Sequence, residues 1–186
     1  MSELFDEVDE EVRRDQLKKL WDKYSILIIA LAILVVAGVG GWRGYQYLEA
    51  NKAAEAGAAF DRAVELSDQN KHAEAEAAFA DLITKAPSGY RTLARLRMAA
   101  EVATRDQPAA AKLYDEIAAD RSVGAPEQDL ARIRAAQIVM ETTTYPNMLQ
   151  RLEATATSKD STFRHSAREL LALSAWRNND LPAARK

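Results

Sequence analysis

Histidine, cysteine and clustered acids are the side chains that most often carry catalysis or bind metals, and this sequence offers few of them. It has no cysteine and two histidines among 186 residues, which excludes thiolate nucleophiles, iron–sulfur clusters and cysteine-ligated zinc. Neither His72 nor His165 has the supporting groups that a catalytic base needs, so both are interpreted as surface or helix-end residues. We expect no catalytic residue, no metal site and no cofactor.

Two other patterns with a chemical interpretation are equally weak. Asp115 and Glu116 are adjacent in sequence, so on a helix they diverge and are interpreted as solvated charge. The glycine-rich stretch at Gly38, Gly40 and Gly41 lies inside an apolar run and follows no strand, which excludes a nucleotide-binding loop. The sequence therefore predicts a non-enzymatic protein with no small-molecule substrate.

The charges of the chain are unevenly distributed. The formal net charge of −3 arises within residues 1–23, which carry eight acids and five bases. The remainder is neutral overall and has no stripe of basic residues, so it offers little attraction to polyphosphate. We expect no nucleic-acid partner.

A single apolar run follows this charged leader. Residues 25–42 carry no charge over eighteen positions, or about 27 Å as a helix, close to the thickness of a bilayer's hydrocarbon core. Aromatic side chains, which favour the headgroup region, flank the run on both sides: Trp21, Tyr24, Trp42, Tyr45 and Tyr47. We predict a transmembrane helix at 24–42, with the lipid bilayer as a partner.

The positions of the bases predict the orientation of this helix. Five bases precede the run, whereas Arg43, Lys52 and Arg62 are the three that follow it within the next twenty residues, which favours a cytoplasmic amino terminus. Residues 43–186 are then periplasmic if the membrane is the inner membrane of a Gram-negative bacterium. The alternative is a cleaved signal peptide, but an acidic leader and the lack of an Ala-x-Ala site favour an uncleaved anchor.

The cytoplasmic leader, 1–23, starts an apolar stripe of its own, which runs on to the beginning of the span: Leu4, Val8, Val12, Leu17, Leu20, Trp21 and Tyr24. This spacing is typical of an amphipathic helix, which would lie on the membrane or dock to a cytoplasmic partner. The alternative is a partly ordered tail that only sets the orientation of the span.

Small residues recur near the end of the apolar run. Ala37 and Gly41 are four residues apart, as are Gly40 and Gly44, and this spacing allows two membrane helices to approach closely. We interpret these four residues as a packing face for a partner membrane helix. The alternative is that the glycines only loosen the helix where it leaves the membrane.

The rest of the chain is predicted to be all-α. After residue 44 only three glycines remain and no β-branched run alternates apolar with polar residues, while alanine is abundant, which favours helices over strands. The pair Ala94-Arg95 recurs as Ala131-Arg132 and as Ala167-Arg168, at spacings of 37 and 36 residues. A period of this length indicates a repeat of helix pairs.

A second recurrence lies between these Ala-Arg pairs. Three apolar positions repeat with a spacing of 35 residues: Ala75, Phe79 and Leu82, then Ala110, Tyr114 and Ile117, then Leu149 and Leu152. With Pro87, the first set has the spacing of the second helix of a tetratricopeptide repeat, in which the small residue lets the partner helix approach.

These recurrences predict the helices of the repeat domain, 43–186, at about 43–69, 72–86, 89–105, 108–120, 126–143, 146–157 and 161–178. Capping side chains are predicted at Ser88, Asp106 and Asp180, and first-turn prolines at 108, 126, 146 and 182. A further second helix is expected to begin at Pro182, so the domain is either frayed or truncated at its carboxyl end. The predicted architecture is one transmembrane helix followed by a tetratricopeptide-like α-solenoid.

The acidic leader at 7–16, the exit from the span at 41–45 and the alanine-rich repeats carry a resemblance to a known family. In these features the chain resembles the tetratricopeptide-like, YfgM-type single-span inner-membrane proteins of proteobacteria that are described as ancillary subunits of the Sec translocon, and its leader is similar to the alphaproteobacterial branch. The resemblance implies a location in the bacterial inner membrane and a periplasmic repeat domain. It also implies translocon subunits, periplasmic chaperones and emerging client proteins as partners, and no catalytic motif.

The first helices of stacked pairs line the inner face of a superhelix, so residues recurring there are candidates for partner contact. We predict a protein-binding groove at Arg91, Arg95, Arg132 and Arg168, whose guanidinium groups would grip carboxylates or carbonyls of an extended client. The alternative is that each arginine pairs with an acid on a neighbouring helix. The buried stripe of the corresponding helix is predicted at Leu93, Leu96, Ala100 and Ala103.

The sequence as a whole predicts a membrane-anchored, non-enzymatic adaptor that binds proteins in the periplasm. By resemblance, it is ancillary to the Sec translocon and hands emerging proteins to chaperones. The alternatives are a scaffold for another envelope complex and, less favoured, a membrane-anchored enzyme.

Overall fold

A computed structural model of the chain describes the backbone of residues 3–185, the side chains of 21–185 and those of Arg14 and Lys18. Over this range the chain forms helices and no strand, which confirms the all-α class. The helices are α1 (Glu3–Asp68), α2 (His72–Lys85), α3 (Ser88–Ala103), α4 (Gln107–Ala119), α5 (Ala125–Val139), α6 (Tyr145–Thr157), α7 (Arg164–Arg177) and α8 (Leu181–Ala184). Of the apolar stripe predicted for the leader, Trp21 and Tyr24 have described side chains, which are exposed, and the others lie outside the described side chains.

The chain divides into two compact units, Met1–Asn51 and Lys52–Lys186. Helix α1 contributes to both because it continues without a break from Glu3 to Asp68, so the helix predicted at 43–69 is the last part of α1. The predicted limits of the leader and of the transmembrane helix concern a membrane, and they stay predictions.

The first unit presents a long apolar helical surface. Within α1 an uncharged window of 18 residues has a mean hydropathy of 2.5, and none of it is buried in the structure. Ile26, for example, is 83% exposed and Val36 72%. By its length and composition this helix can cross a membrane.

The second unit is built from overlapping groups of three successive helices. One buried cluster joins α1, α2 and α3 around Phe79, a second joins α3, α4 and α5 around Tyr114, and a third joins α5, α6 and α7 around Leu152. Because α3 and α5 each contribute to two clusters, the helix pairs stack on one continuous apolar core. The predicted helix-pair repeat is therefore confirmed.

Alanines occupy the closest helix contacts. Ala75, Ala94, Ala110 and Ala131 are all completely buried, and each belongs to the recurrences found in the sequence. An alanine side chain ends at Cβ, so a neighbouring helix can approach until the backbones nearly touch. At Gly57 an added Cβ would lie 2.8 Å from the hydroxyl oxygen of Tyr90, so the glycine leaves room for that side chain.

One position of the 35-residue alignment is wrong. Leu149 was predicted at the place of Phe79 and Tyr114, but the structure buries Met148 completely and Leu149 only in part. Met148 and Leu152 are four residues apart and share one face of α6. The repeat is therefore one residue shorter at this position.

Two predicted helix boundaries are also wrong, by three or four residues. The helix predicted to end at 143 ends at Val139, because the hydroxyl and amide of Thr142 both donate to the Val139 carbonyl in a tight turn. The helix predicted to begin at 161 begins at Arg164, since the Ser161 hydroxyl accepts from the amide of Phe163 and holds a turn.

The predicted capping residues are confirmed at two of three helices. Asp106 and Asp180 each accept a hydrogen bond from a backbone amide in the first turn of α4 and α8. Ser88 is not a cap, because Pro87 takes the cap position and Ser88 is the first residue of α3. Prolines stand in the first turns of α4, α5, α6 and α8, as predicted.

Candidate functional site

Three of the four predicted groove arginines hold the ends of second helices. Arg91, Arg132 and Arg168 each donate from a first helix to a backbone carbonyl at the end of the preceding helix, at 3.3, 3.2 and 2.9 Å. Those carbonyls carry the partial negative charge of a helix carboxyl end, which favours a cation there. The recurrent arginines Arg132 and Arg168 therefore fix α5 and α7 to the helices before them, and Arg91 does the same for α3.

Two of the arginines also pair with acids. The guanidinium of Arg95 lies 2.6 Å from a carboxylate oxygen of Asp120, the residue that follows α4, and Arg132 lies 2.7 Å from Asp129 in its own helix. Arg95 thus pairs with an acid beyond its own helix, as the alternative interpretation expected. Contact of the four arginines with a partner protein stays a prediction, and their observed bonds are intramolecular.

A groove of about 880 Å³ opens within the second unit. Its wall is formed mainly by α3 and α5, with contributions from the end of α1 and from α4. Its apolar lining consists of Phe60, Leu93, Leu96, Ala100, Ala103, Tyr114, Leu130 and Ile138, and its polar lining of Arg97, Gln107, Arg134, Gln137, Glu141 and Thr142. We call this opening the apolar groove.

The stripe predicted to be buried on α3 lines this groove instead. Leu93 is 44% exposed, and Ala100 and Ala103 are only half-buried, although Leu96 is buried as predicted. The core side of α3 is formed by smaller residues such as Ala94. The prediction was wrong because leucine was assumed to mark the buried face, whereas close helix contacts require alanine.

The cations of the apolar groove are Arg97 and Arg134, which the sequence interpretation missed. Each stands two residues after an arginine of the recurrent Ala-Arg pairs, at Arg95 and Arg132. The sequence pattern that could have indicated Arg97 and Arg134 is this second arginine, which appears in two successive repeats. Two residues along a helix rotate a side chain by about 200°, so the second arginine faces away from the first.

Tyr114 forms part of the groove floor. It is 4% exposed, and its hydroxyl donates to the Leu96 carbonyl at 3.3 Å. Burial raises the pKa of this phenol above its usual value, and the positive charges of Arg134 and Arg97 offset part of that increase. Both guanidinium groups are therefore close enough to act on the same phenol, which stays neutral at physiological pH.

A buried carboxylate ties α3 to the turn between α1 and α2. Glu101 is 5% exposed; it accepts from the Ser67 hydroxyl at 2.5 Å and lies 2.7 Å from Nδ1 of His72. His72 is the first residue of α2, as its interpretation as a helix-end residue expected, whereas the role of Glu101 was missed. His165 is exposed on α7.

A smaller opening of about 500 Å³ lies between α4 and α6, and Arg132 is the predicted groove arginine that borders it. Asp115 lines the same opening and is paired with Arg151 of α6. The side chain of Asp115 stays 43% exposed in this pair, and Glu116 is exposed as expected.

The four small residues of the apolar run lie on the exposed surface of α1. Beside Gly40, Gly41 and Gly44, no atom from elsewhere in the described chain comes within 4 Å of an added Cβ. The space that a partner helix would need is open, and the predicted packing face stays a prediction.

Comparison with known families decides the classification of the fold. The family model described as tetratricopeptide repeat-like domain matches residues 18–185. The chain belongs to this family. No curated protein and no solved structure matches it.

Tetratricopeptide repeat-like domains typically mediate protein–protein interaction, so the matched family supports a protein-binding scaffold. In this tetratricopeptide repeat-like domain the first helices α3 and α5 supply most of the apolar groove. Among the described side chains no group of three or more His, Asp or Glu could hold a metal ion.

Asp120 gives this domain an acid-sensitive contact. The hydroxyl and amide of Ser122 and the guanidinium of Arg95 all donate to its carboxylate, and they lower its pKa from 3.8 to about 2. Because the native pKa lies below the unfolded value, the contact stabilises the fold fully above about pH 4 and is lost as the pH falls toward 2.

We therefore expect the difference in unfolding free energy between the native chain and Asp120→Asn to shrink as the pH is lowered from about 5 to about 2. Urea unfolding of the full-length protein in detergent, followed by circular dichroism, measures this difference. Asp160→Asn is the control, since no described group donates to that carboxylate. A difference for Asp120→Asn that stays constant over the whole range would contradict the assignment.

Proposed function

We propose that this protein is a membrane-anchored, non-enzymatic adaptor that binds segments of other proteins in the apolar groove of its repeat domain. The groove itself is the observation that carries the proposal. Leu93 is exposed along α3, and Ala100, Leu130 and Ile138 of the lining are only half-buried. Burying such a surface against a partner releases about 25 cal/mol for each Å² removed from water. Membership of the tetratricopeptide repeat-like family supports the same function.

The apolar helix in the first unit supports the anchor. Burial of a single Leu, Ile or Val side chain is worth about 1.5 to 3 kcal/mol, and α1 exposes many of them in succession between residues 26 and 39. A bilayer removes the free-energy cost of exposing these side chains to water. The helix meanwhile satisfies the hydrogen bonds of its own backbone groups. The excess of bases before the span favours a cytoplasmic amino terminus and a periplasmic repeat domain.

The proposed partners are translocon subunits, emerging proteins and periplasmic chaperones, and the resemblance to Sec-associated single-span proteins supports them. A tether beside the exit of a translocon would raise the effective concentration of the groove near each emerging chain, so weak contacts would suffice. The open face at Ala37, Gly40, Gly41 and Gly44 would then pack against a membrane helix of the translocon.

The absence of cysteine from the native sequence allows a clean test of topology. The test is made in a bacterial host that has an inner and an outer membrane, with single cysteines at Glu116 and Arg14, whose side chains are both exposed. In spheroplasts the cysteine at Glu116 should react with a membrane-impermeant maleimide, whereas the cysteine at Arg14 should react only after lysis. The labelled protein should also stay in the membrane pellet after alkaline carbonate extraction. The reverse labelling pattern, or release by carbonate, would contradict the anchor and its orientation.

Photo-crosslinking tests the groove and the partners. With p-benzoylphenylalanine at Ala100, in the apolar groove, we expect ultraviolet crosslinks in native membranes to translocon subunits and to newly exported chains. The same residue at Glu116, exposed on α4 outside the groove, is the matched control. Equal crosslinks from both positions, or none from Ala100, would contradict binding in the groove, while crosslinks to another envelope complex would contradict the proposed partner.

A further inference from the structure

We propose that the apolar groove selects protein segments that carry carboxylates between apolar side chains, and that Arg97 and Arg134 are the residues that read those carboxylates. This inference rests on the proposed function and names the chemistry of the segment that the groove binds. It assigns specificity to two arginines other than the four that the sequence predicts for a protein-binding groove.

The guanidinium groups of Arg97 and Arg134 are available to a partner. Arg97 is exposed and has no hydrogen-bond or ion-pair partner among the described residues, while Arg134 contacts the neutral amide of Gln137 at 3.2 Å. Arg132 and Arg168, by contrast, are bonded to helix ends. A guanidinium offers five N–H donors in a planar fork that matches a carboxylate, so Arg97 and Arg134 retain that capacity.

The lining of the apolar groove has a net positive charge. Glu141 is the acid that borders the groove, and its carboxylate lies 3.3 Å from the guanidinium of Arg177. The remaining polar residues of the lining, such as Gln107 and Thr142, are neutral. The groove therefore presents two positive charges without a matching negative one, which favours an acidic partner and disfavours a basic one.

The two cations lie beside the apolar walls of the groove. Leu93, Leu96 and Ala100 share one face of α3 with Arg97, and the buried phenol of Tyr114 forms the floor. A segment that covers these walls excludes water from the arginines, which strengthens a carboxylate contact. The alanines on this face leave room for larger apolar side chains of the partner.

A protein segment fits this lining better than an anionic lipid does. Arg97 lies on α3 and Arg134 on α5, so guanidinium groups from two successive repeats face the groove. A peptide with two carboxylates can offer one to each guanidinium while its apolar side chains cover the walls. Gln107 and Gln137 add donors and acceptors that suit backbone amides.

The experiment compares three fluorescent peptides of equal length and equal apolar pattern, which carry glutamate, glutamine or lysine at the same positions. Binding is measured by anisotropy with the full-length protein in detergent. We expect the glutamate peptide to bind about tenfold more tightly than the glutamine peptide, the lysine peptide to bind most weakly, and added salt to reduce only the glutamate preference. In Arg97→Gln/Arg134→Gln the preference should disappear while binding of the glutamine peptide remains.

The matched control is Lys112→Gln/Arg121→Gln, which removes two exposed positive charges outside the groove and should keep the preference. Equal binding of the glutamate and glutamine peptides to the native protein would overturn the charge inference but leave the proposed function standing. Loss of the preference in the control double variant would also overturn the charge inference. So would displacement of the peptide by vesicles rich in anionic phospholipid if neutral vesicles do not displace it. Failure of the proposed function is recognised separately, by the absence of crosslinks from Ala100.

Discussion

Close helix contacts made through alanine are the constraint on which the repeat domain depends. Ala75, Ala94, Ala131 and Ala167 have no exposed surface, and each is a helical residue at an inter-helix contact whose only side-chain atom is Cβ. Such contacts let the helices of a pair approach closely, so the domain reaches dense packing with few large side chains. A bulkier residue at one of these positions would hold two helices apart and open the core between them.

This constraint also decides where the larger side chains lie. Phe79 and Tyr114 fill the spaces between successive helices, while Leu93 is excluded from the alanine-lined contacts and is left in the apolar groove. The recurrent arginines, such as Arg168, fix the helix ends. The surface proposed to bind partners is therefore a consequence of how the repeats pack, and the arginines that remain without acidic partners there give it a charge.

The helix-pair repeat was predictable because its period and its first-turn prolines are local signals that packing reinforces. The end of α5 was missed because threonines such as Thr142 bond to the preceding turn, a competition that apolar spacing does not show. The face of α3 was misjudged because Leu93 looks more buried than Ala94 by hydrophobicity alone. Long-range bonds were equally invisible: the bond of His72 to Glu101 joins residues far apart in sequence, and only the fold brings them together.

The most direct test of the alanine constraint compares two leucine substitutions on α2, at completely buried Ala75 and at exposed Ala77. Urea unfolding of the full-length protein in detergent gives the free energy of unfolding for each. Ala75→Leu should lower it by about 1 to 3 kcal/mol, because the added carbons force α2 and its neighbours apart. Ala77→Leu should change it by about 0.5 kcal/mol or less. Equal effects of the two substitutions would contradict the claim that close alanine contacts determine the packing of the repeats.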